Sequence, residues 1–418
     1  MVKTPEELYK EREKRVVDAI SLKVPDRVPI ALIDNFYSIK YAGVTLEEAM
    51  TDYEKACAAW KKVQAYFEWD MFSYIPVTVS GKVFDYLGSR QLKWPGHGSN
   101  KTQYQFVEPG TEYEAMPAED YDWFIDDPSD YIIRRHWPRV YGVLEPFKNL
   151  PPIHNMVSHF GLFDMLPNMG TPEISNAFES LLKAGREYVK WLNVNLQSIQ
   201  ELIKMGFPPY YLGFTQCPFD FIADYLRGTK GALTDMSRNP DKLKKAQEKI
   251  VPWMIDYGEW MAKITYCPRI VLFLHKGAGG FMSNQQYEEF YWPYLRKVIM
   301  GLIDRGLTPL VNTQGIYTDR FQIISDVPKG KVLYQVESDI FKAKEILGDT
   351  ACLTGGPPAS LLNVGSPQEV KDYCKKLIDV VGEGGGFIMG SAFPLVTAKD
   401  ENMRALTDFT REYGIYKK

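Results

Sequence analysis

The chain has 418 residues, with 49 Lys plus Arg against 53 Asp plus Glu and a formal net charge of -4. That balance excludes a dedicated nucleic-acid binder, which needs a basic surplus to displace phosphate counterions. At 45% hydrophobic and 24% charged residues the chain can bury a large core, which excludes global disorder. The five cysteines, Cys57, Cys217, Cys267, Cys352 and Cys374, are odd in number and scattered, with no C-x-x-C pair. A disulfide framework and a zinc ribbon are thereby excluded as organising features.

The first residues, MVKTPEELYKEREKRVVDAI, are highly charged and lack the apolar core of a signal peptide. No apolar run approaches the ~18 residues of a membrane span. A cytoplasmic protein without membrane attachment is the expectation.

In chain order, residues 4–22 read as an amphipathic helix, with Thr4 as cap, Pro5 in the first turn and Glu7 at the capping-box position. DRVPIAL (26–32) reads as a strand, 45–67 as one long helix opened by Thr45, and WDMFSYIPV (69–77) as a second strand. Between about 78 and 118 the pattern changes. Gly81, Gly88, Pro95, Gly96, Gly98, Pro109 and Gly110 punctuate alternating stretches such as KVFDYL and TQYQFV, which predicts hairpins. The inserted region runs on to about 172 through short helices rich in aromatics. A long helix follows over 173–205.

From 208 the alternation is regular. Strands are predicted at 208–214, 269–275, 308–313, 331–336, 351–356 and 385–391. Helices are predicted at 218–226, 241–265, 284–305, 318–326, 339–347, 367–381 and 400–413. Strands alternating with helices build a parallel sheet. About eight such units favour a distorted (β/α)8 TIM barrel, one α/β domain over 1–418 with a hairpin-rich insertion at about 78–172. No phosphate-binding glycine motif stands at a strand-to-helix junction.

In such a barrel the reactive residues come from the C-terminal ends of the strands. Those ends offer Asp34 and Asn35, Tyr74, His154 and His159, Gln216, His275 and Lys276, Asn312 and Gln314, then Glu337. Each has a plain alternative. Asp34 could simply cap a helix, His154 and His159 could be packed or loop-bonded, and Lys276 could be a solvated rim charge. Glu337 and His275 end strongly apolar strands; Glu337 could be an acid, a base or a ligand there, or none of these, and His275 could point into the pocket or sit on its rim. Arg227 either complements a helix C-terminus or binds a carboxylate.

Several runs carry a family likeness. LGFTQCPFDFIADYLRG, HKGAGGFMSNQQYEEFYWPYLRKVI, TACLTGGPPASLLNVGSPQEVKDYCKKLI and GGFIMGSAFPLVTAKDENMRALTDFTREYG, in this order and with DRVPIAL as opening strand, resemble the uroporphyrinogen decarboxylase superfamily. In that likeness Asn402 starts the last helix. The resemblance implies a distorted barrel with a deep cleft. It also implies one of two activities: cofactor-free decarboxylation, or methyl transfer involving a corrinoid (cobalamin) carried on a partner protein.

The decarboxylases carry an M-R-Q-A-G-R-Y signature after the first strand, where this chain reads LIDNFYSIKYAG without an arginine. A substrate with eight carboxylates needs several cationic partners. The thiol-methylating members hold zinc with H-x-C and a late cysteine. Here those places read Asn312, Thr313, Gln314, and then Ser391 and Ala392. Zinc therefore lacks its usual ligands; a rearranged set would have to use His275 and Glu337.

The resemblance then implies an O-demethylase component, a methyltransferase moving a methyl group from a small methoxylated donor to the cob(I)amide of a corrinoid protein. The catalytic candidates are Glu337, His275 and Asp34. Asn35, Tyr74, His154, His159, Gln216, Asn312 and Gln314 are the substrate-binding candidates. The high aromatic content suits an aryl donor, and the insertion is expected to cover the barrel mouth and to help choose the donor or the partner. A cofactor-free decarboxylase of a small or tetrapyrrole-like acid is the alternative. A monomer or homodimer is expected.

Overall fold

The computed structural model describes residues 3–73, 79–96, 98–99 and 114–417. Its centre is a run of six parallel strands, each hydrogen-bonded to the next: Gly213–Thr215, Arg269–Leu274, Thr308–Thr313, Leu333–Val336, Cys352–Gly355 and Phe387–Met389. Two short staves close the ring. Ile30 bridges Met389 in parallel, Ala31 bridges Met71, and Phe72 bridges Pro209 just ahead of Gly213. The result is a closed, eight-stave parallel barrel. Its first two staves are held by single bridges, which is where the distortion lies.

Alternation along each stave sends every second side chain inward. One interior cluster takes a residue from each of the eight staves: Ala31, Met71, Tyr210, Val271, Leu310, Leu333, Cys352 and Ile388. Val16, Ala19 and Ile20 of the first helix, Pro5–Ile20, join the same cluster and plug the N-terminal end of the barrel. Arg15 and Arg27 seal that end. They meet the buried Asp70 at 2.6 and 2.7 Å, and Asp70 also accepts from the Ile30 amide at 2.8 Å.

The Thr4 capping box forms as the sequence predicts. The single helix expected over 45–67 is two, Leu46–Thr51 and Tyr53–Phe67. The break falls at Asp52, whose side chain caps the second by accepting from the Lys55 amide.

The hairpin expected at KVFDYL is instead a helix, Gly81–Leu87, capped by Ser80 and ended by Gly88 at φ 61°. The residues near it form a short parallel ladder, Trp94–Pro95 with Gly98–Ser99. The alternation at TQYQFV lies outside the described residues. From 118 to 169 the chain forms short helices, and Pro172–Lys204 then forms one continuous helix.

Candidate active site

The interior cluster is apolar, but two residues further along the staves the chemistry changes. Asn312 and Gln335 follow Leu310 and Leu333 and face each other across paired strands. Asn312 Nδ2 donates to Gln335 Oε1 at 3.2 Å, and Gln335 Nε2 donates to the Ser391 carbonyl at 3.4 Å. Ser391 O is only an acceptor, so Gln335 must turn its amino group there and its oxygen toward Asn312. Asn312 Oδ1 is thereby left over, buried without a protein partner. Phe273, register partner of Asn312 on the other side, is packed against the interior cluster.

Two residues further toward the mouth stand His275, Gln314 and Glu337. Glu337 Oε2 accepts from the Gly315 amide at 2.8 Å, while Oε1 is buried and unpartnered. Burial pushes its carboxyl up to about 7, against the pull of the Gly315 N–H. On the opening stave Asp34 is buried. Its amide donates to Ser73 Oγ at 3.0 Å, and its Oδ1 accepts from the Ser38 amide at 3.2 Å. Burial raises it to about 6 despite those Ser38 contacts.

His275 is bound to a residue that sequence reading missed. The helix after the third stave runs Pro218–Phe221 and continues as a π-helical turn, Ile222–Leu226. It places Asp220 and Asp224 beneath the strand end. Asp224 Oδ2 lies 2.5 Å from His275 Nδ1, and its Oδ1 lies 3.2 Å from Lys276 Nζ. Burial alone would lower the His275 imidazole, but the bond to Asp224 and the charges of Asp224 and Asp220 raise it instead.

Asp220, fully buried, accepts from the amides of His275 at 3.0 Å and Lys276 at 2.9 Å and from Tyr291 Oη at 2.5 Å. The next residue has to be glycine. A Cβ on Gly277 would lie 2.3 Å from Tyr317 Oη and 2.8 Å from the Tyr291 ring. Two aspartates one helical turn apart in an otherwise apolar segment, FDFIADYL, were the available signal.

The other candidates divide. Gln314 directly follows the strand Thr308–Thr313, and the Ser391 carbonyl accepts from Gln335. Asn35 is tied by its amide to Leu395 O at 3.0 Å. Gln216 donates to Tyr225 Oη at 3.1 Å, on the helix that carries Asp224. His154 and His159 are exposed on the helical insertion. Asp127 lies 3.5 Å from His154, and Phe160 packs against the His159 ring. Tyr74 lies outside the described residues. Arg227 is spent on Asp235 at 2.6 Å and Glu114 at 3.0 Å.

Among the described residues no three His, Cys, Asp or Glu side chains converge as a metal-ligand set, so His275 and Glu337 are not part of one. All five cysteines are buried. No helix among the described residues is long and apolar enough to cross a membrane.

A parallel barrel with its titratable groups gathered at the C-terminal strand ends has the layout of an α/β-barrel enzyme. The family model for uroporphyrinogen decarboxylase (URO-D) matches residues 168–413, more than half of the chain, and the chain belongs to that family. Among solved structures, a methyltransferase from Methanosarcina mazei is 15% identical. The alignment covers 96% of this chain and 98% of that one, with a TM-score of 0.62. At that identity the likeness is one of fold. No curated protein sequence matches the chain.

Proposed function

We propose that this chain is the donor-binding component of a corrinoid-dependent O-demethylase, transferring the methyl group of a small methoxylated, preferably aromatic, compound to a corrinoid held on a partner protein. One observation carries the reading. The titratable groups at the mouth are biased toward keeping a proton, with Asp34 raised to about 6, Glu337 to about 7 and His275 raised as well. A methyl ether leaves as an alkoxide or phenoxide only if its oxygen is protonated or strongly hydrogen-bonded, so such groups are what the reaction needs.

The donor set fits an acceptor that arrives ready to react. The strand ends offer neutral amides and carboxyls whose burial favours the protonated form, and the buried cysteines offer no thiolate nucleophile. When bound on its partner, a cob(I)amide supplies a strong nucleophile for the methyl carbon. The chain's own residues do the rest. Phe273 offers an apolar face to the donor, Asn312 Oδ1 an acceptor for a hydroxyl or amino group, and Glu337 or His275 a proton for the departing oxygen. The absence of an arginine in 32–43 supports this reading over decarboxylation of a polycarboxylate.

The test is incubation with free cob(I)alamin and a panel of methoxylated aromatics, followed by the absorbance change on corrinoid methylation. Methylation by at least one of them is expected. A silent panel, methylamines included, rejects the proposal.

A further inference from the structure

Asp224 has no part in the sequence reading, yet its Oδ2 lies 2.5 Å from the His275 ring. Its side chain is 2% exposed, whereas that of His275 keeps 31% of its surface open. Nδ1 of His275 is committed to Asp224, so a proton that leaves the ring toward a ligand leaves from Nε2. Asp220 fixes the backbone that carries the ring through the amides of His275 and Lys276, and is itself held by Tyr291. The imidazole is therefore clamped at both its backbone and its inner nitrogen, with only the outer nitrogen free.

We propose that Asp224 is a positioning residue that holds His275 as the charged proton donor to the leaving oxygen of the methyl donor. This rests on the methyl-transfer reading above. In the step, the methyl C–O bond breaks as the carbon bonds to the corrinoid's cobalt(I) nucleophile. The electron pair of that bond stays on oxygen, and the Nε2 proton moves to it. His275 is left neutral, with its remaining proton on Nδ1 facing Asp224, and is recharged from solvent.

The groups facing the imidazole are Asp224 and Asp220 from the helix, Lys276 beside it, and Tyr291 behind Asp220. Lys276 opposes the charge on His275, and the two aspartates favour it. Asp224 itself is pulled down by His275 and Lys276 against its burial. A buried carboxylate within hydrogen-bond distance shifts an imidazole by about one to three pH units.

The chain has only five histidines, so the His275 resonances can be assigned by their loss in His275→Gln and titrated by NMR. The wild-type midpoint should lie above the usual imidazole value. It should fall by about one unit or more in Asp224→Asn and recover in part in Asp224→Glu. The alkaline limb of the methyl-transfer pH profile should move with it, with kcat reduced more than KM is raised. Tyr291→Phe loosens Asp220 while keeping the Asp224 carboxylate, and should lower the His275 midpoint by less than Asp224→Asn does.

Two results overturn the proposal: a midpoint that Asp224→Asn leaves in place, or methyl transfer in His275→Gln at the wild-type rate. Failure of the underlying reading looks different. The Asp224-dependent midpoint would then stand, while the wild-type protein would methylate no corrinoid.

Discussion

Glu337 and Asp34 are both carboxyls that burial makes reluctant to ionise, and the two can be told apart by pH. If protonated Glu337 supplies the proton, the rate of methyl transfer should fall as pH rises through about 7. Only in that case does Glu337→Gln, which keeps the shape and loses the transferable proton, flatten that limb and lower the optimal rate by roughly 10²–10⁴; with His275 as the donor the limb stays in place in this variant. An unchanged pH profile in the variant would assign the proton elsewhere.

Asp34 bears on stability. Its folded-state value of about 6 lies above the ordinary 3.8, so the folded protein binds the proton more tightly than the unfolded chain. Stability from this group is therefore fully present at low pH and is lost as pH rises from about 4 to 6. Asp34→Asn should be more stable than wild type at pH 7, by up to about 2–3 kcal/mol, with the gain disappearing near pH 4. Thermal melts across that range check the sign.

How far the site could be read from sequence follows from these residues. His275, Glu337, Asp34, Asn312 and Gln314 are legible as candidates because a polar residue at the end of an apolar strand is a local signal. Asp224 and Asp220 were missed because they sit on a helix, and the helix counts as part of the site only once its first turns are known to lie under the next strand end. His154 and His159 were selected for their chemistry in a segment whose structure could not be read. Both are exposed on the inserted helices.

At the scale of elements, propensity and capping carried much of the fold. TPLVNT is a strand over the residues predicted for it, Thr308–Thr313, and Asp400–Tyr413 is a helix as expected. KVFDYL departs from the expected hairpin because its polar residues, Lys82 and Asp85, are three apart with apolar pairs after each, a helical spacing rather than a two-residue alternation. The bracketing Ser80 and Gly88, a helix cap and a left-handed C-terminal glycine, held the deciding information. The break at Asp52 likewise follows a capping aspartate inside an apparently continuous helical pattern.

The weakest staves, 28–31 and 70–72, are joined to their neighbours by single bridges. The ion cluster at Asp70 sits where they need support. Asp70→Ala leaves Arg15 and Arg27 without their shared buried partner and frees the Ile30 amide. A loss of roughly 3–5 kcal/mol is expected in urea unfolding. A loss below about 1 kcal/mol would mean the staves hold without the cluster.

At the scale of the whole molecule, the chain at Trp94 and at Ala115–Met116 is anchored in the body. Trp94, Ala115 and Met116 are buried. The Met116 amide donates to Leu226 O at 2.7 Å, and Arg227 donates to Met116 O at 2.6 Å. Met116 thus packs beside the helix that carries Asp224. Removal of 78–118 should therefore cost folding, seen as loss of the cooperative thermal transition, before any change in donor preference can be read. A cooperative melt in the shortened chain would make the segment a dispensable cover.

The central claim, methyl transfer rather than decarboxylation, is tested most directly by one paired measurement. Each methoxylated donor is incubated with the protein, with and without cob(I)alamin, while corrinoid methylation and released carbon dioxide are followed together. The account predicts methylated corrinoid in amounts matching the demethylated donor, and no carbon dioxide in either arm. Carbon dioxide released from a carboxylated compound without the corrinoid, with no methylation anywhere in the panel, would contradict it.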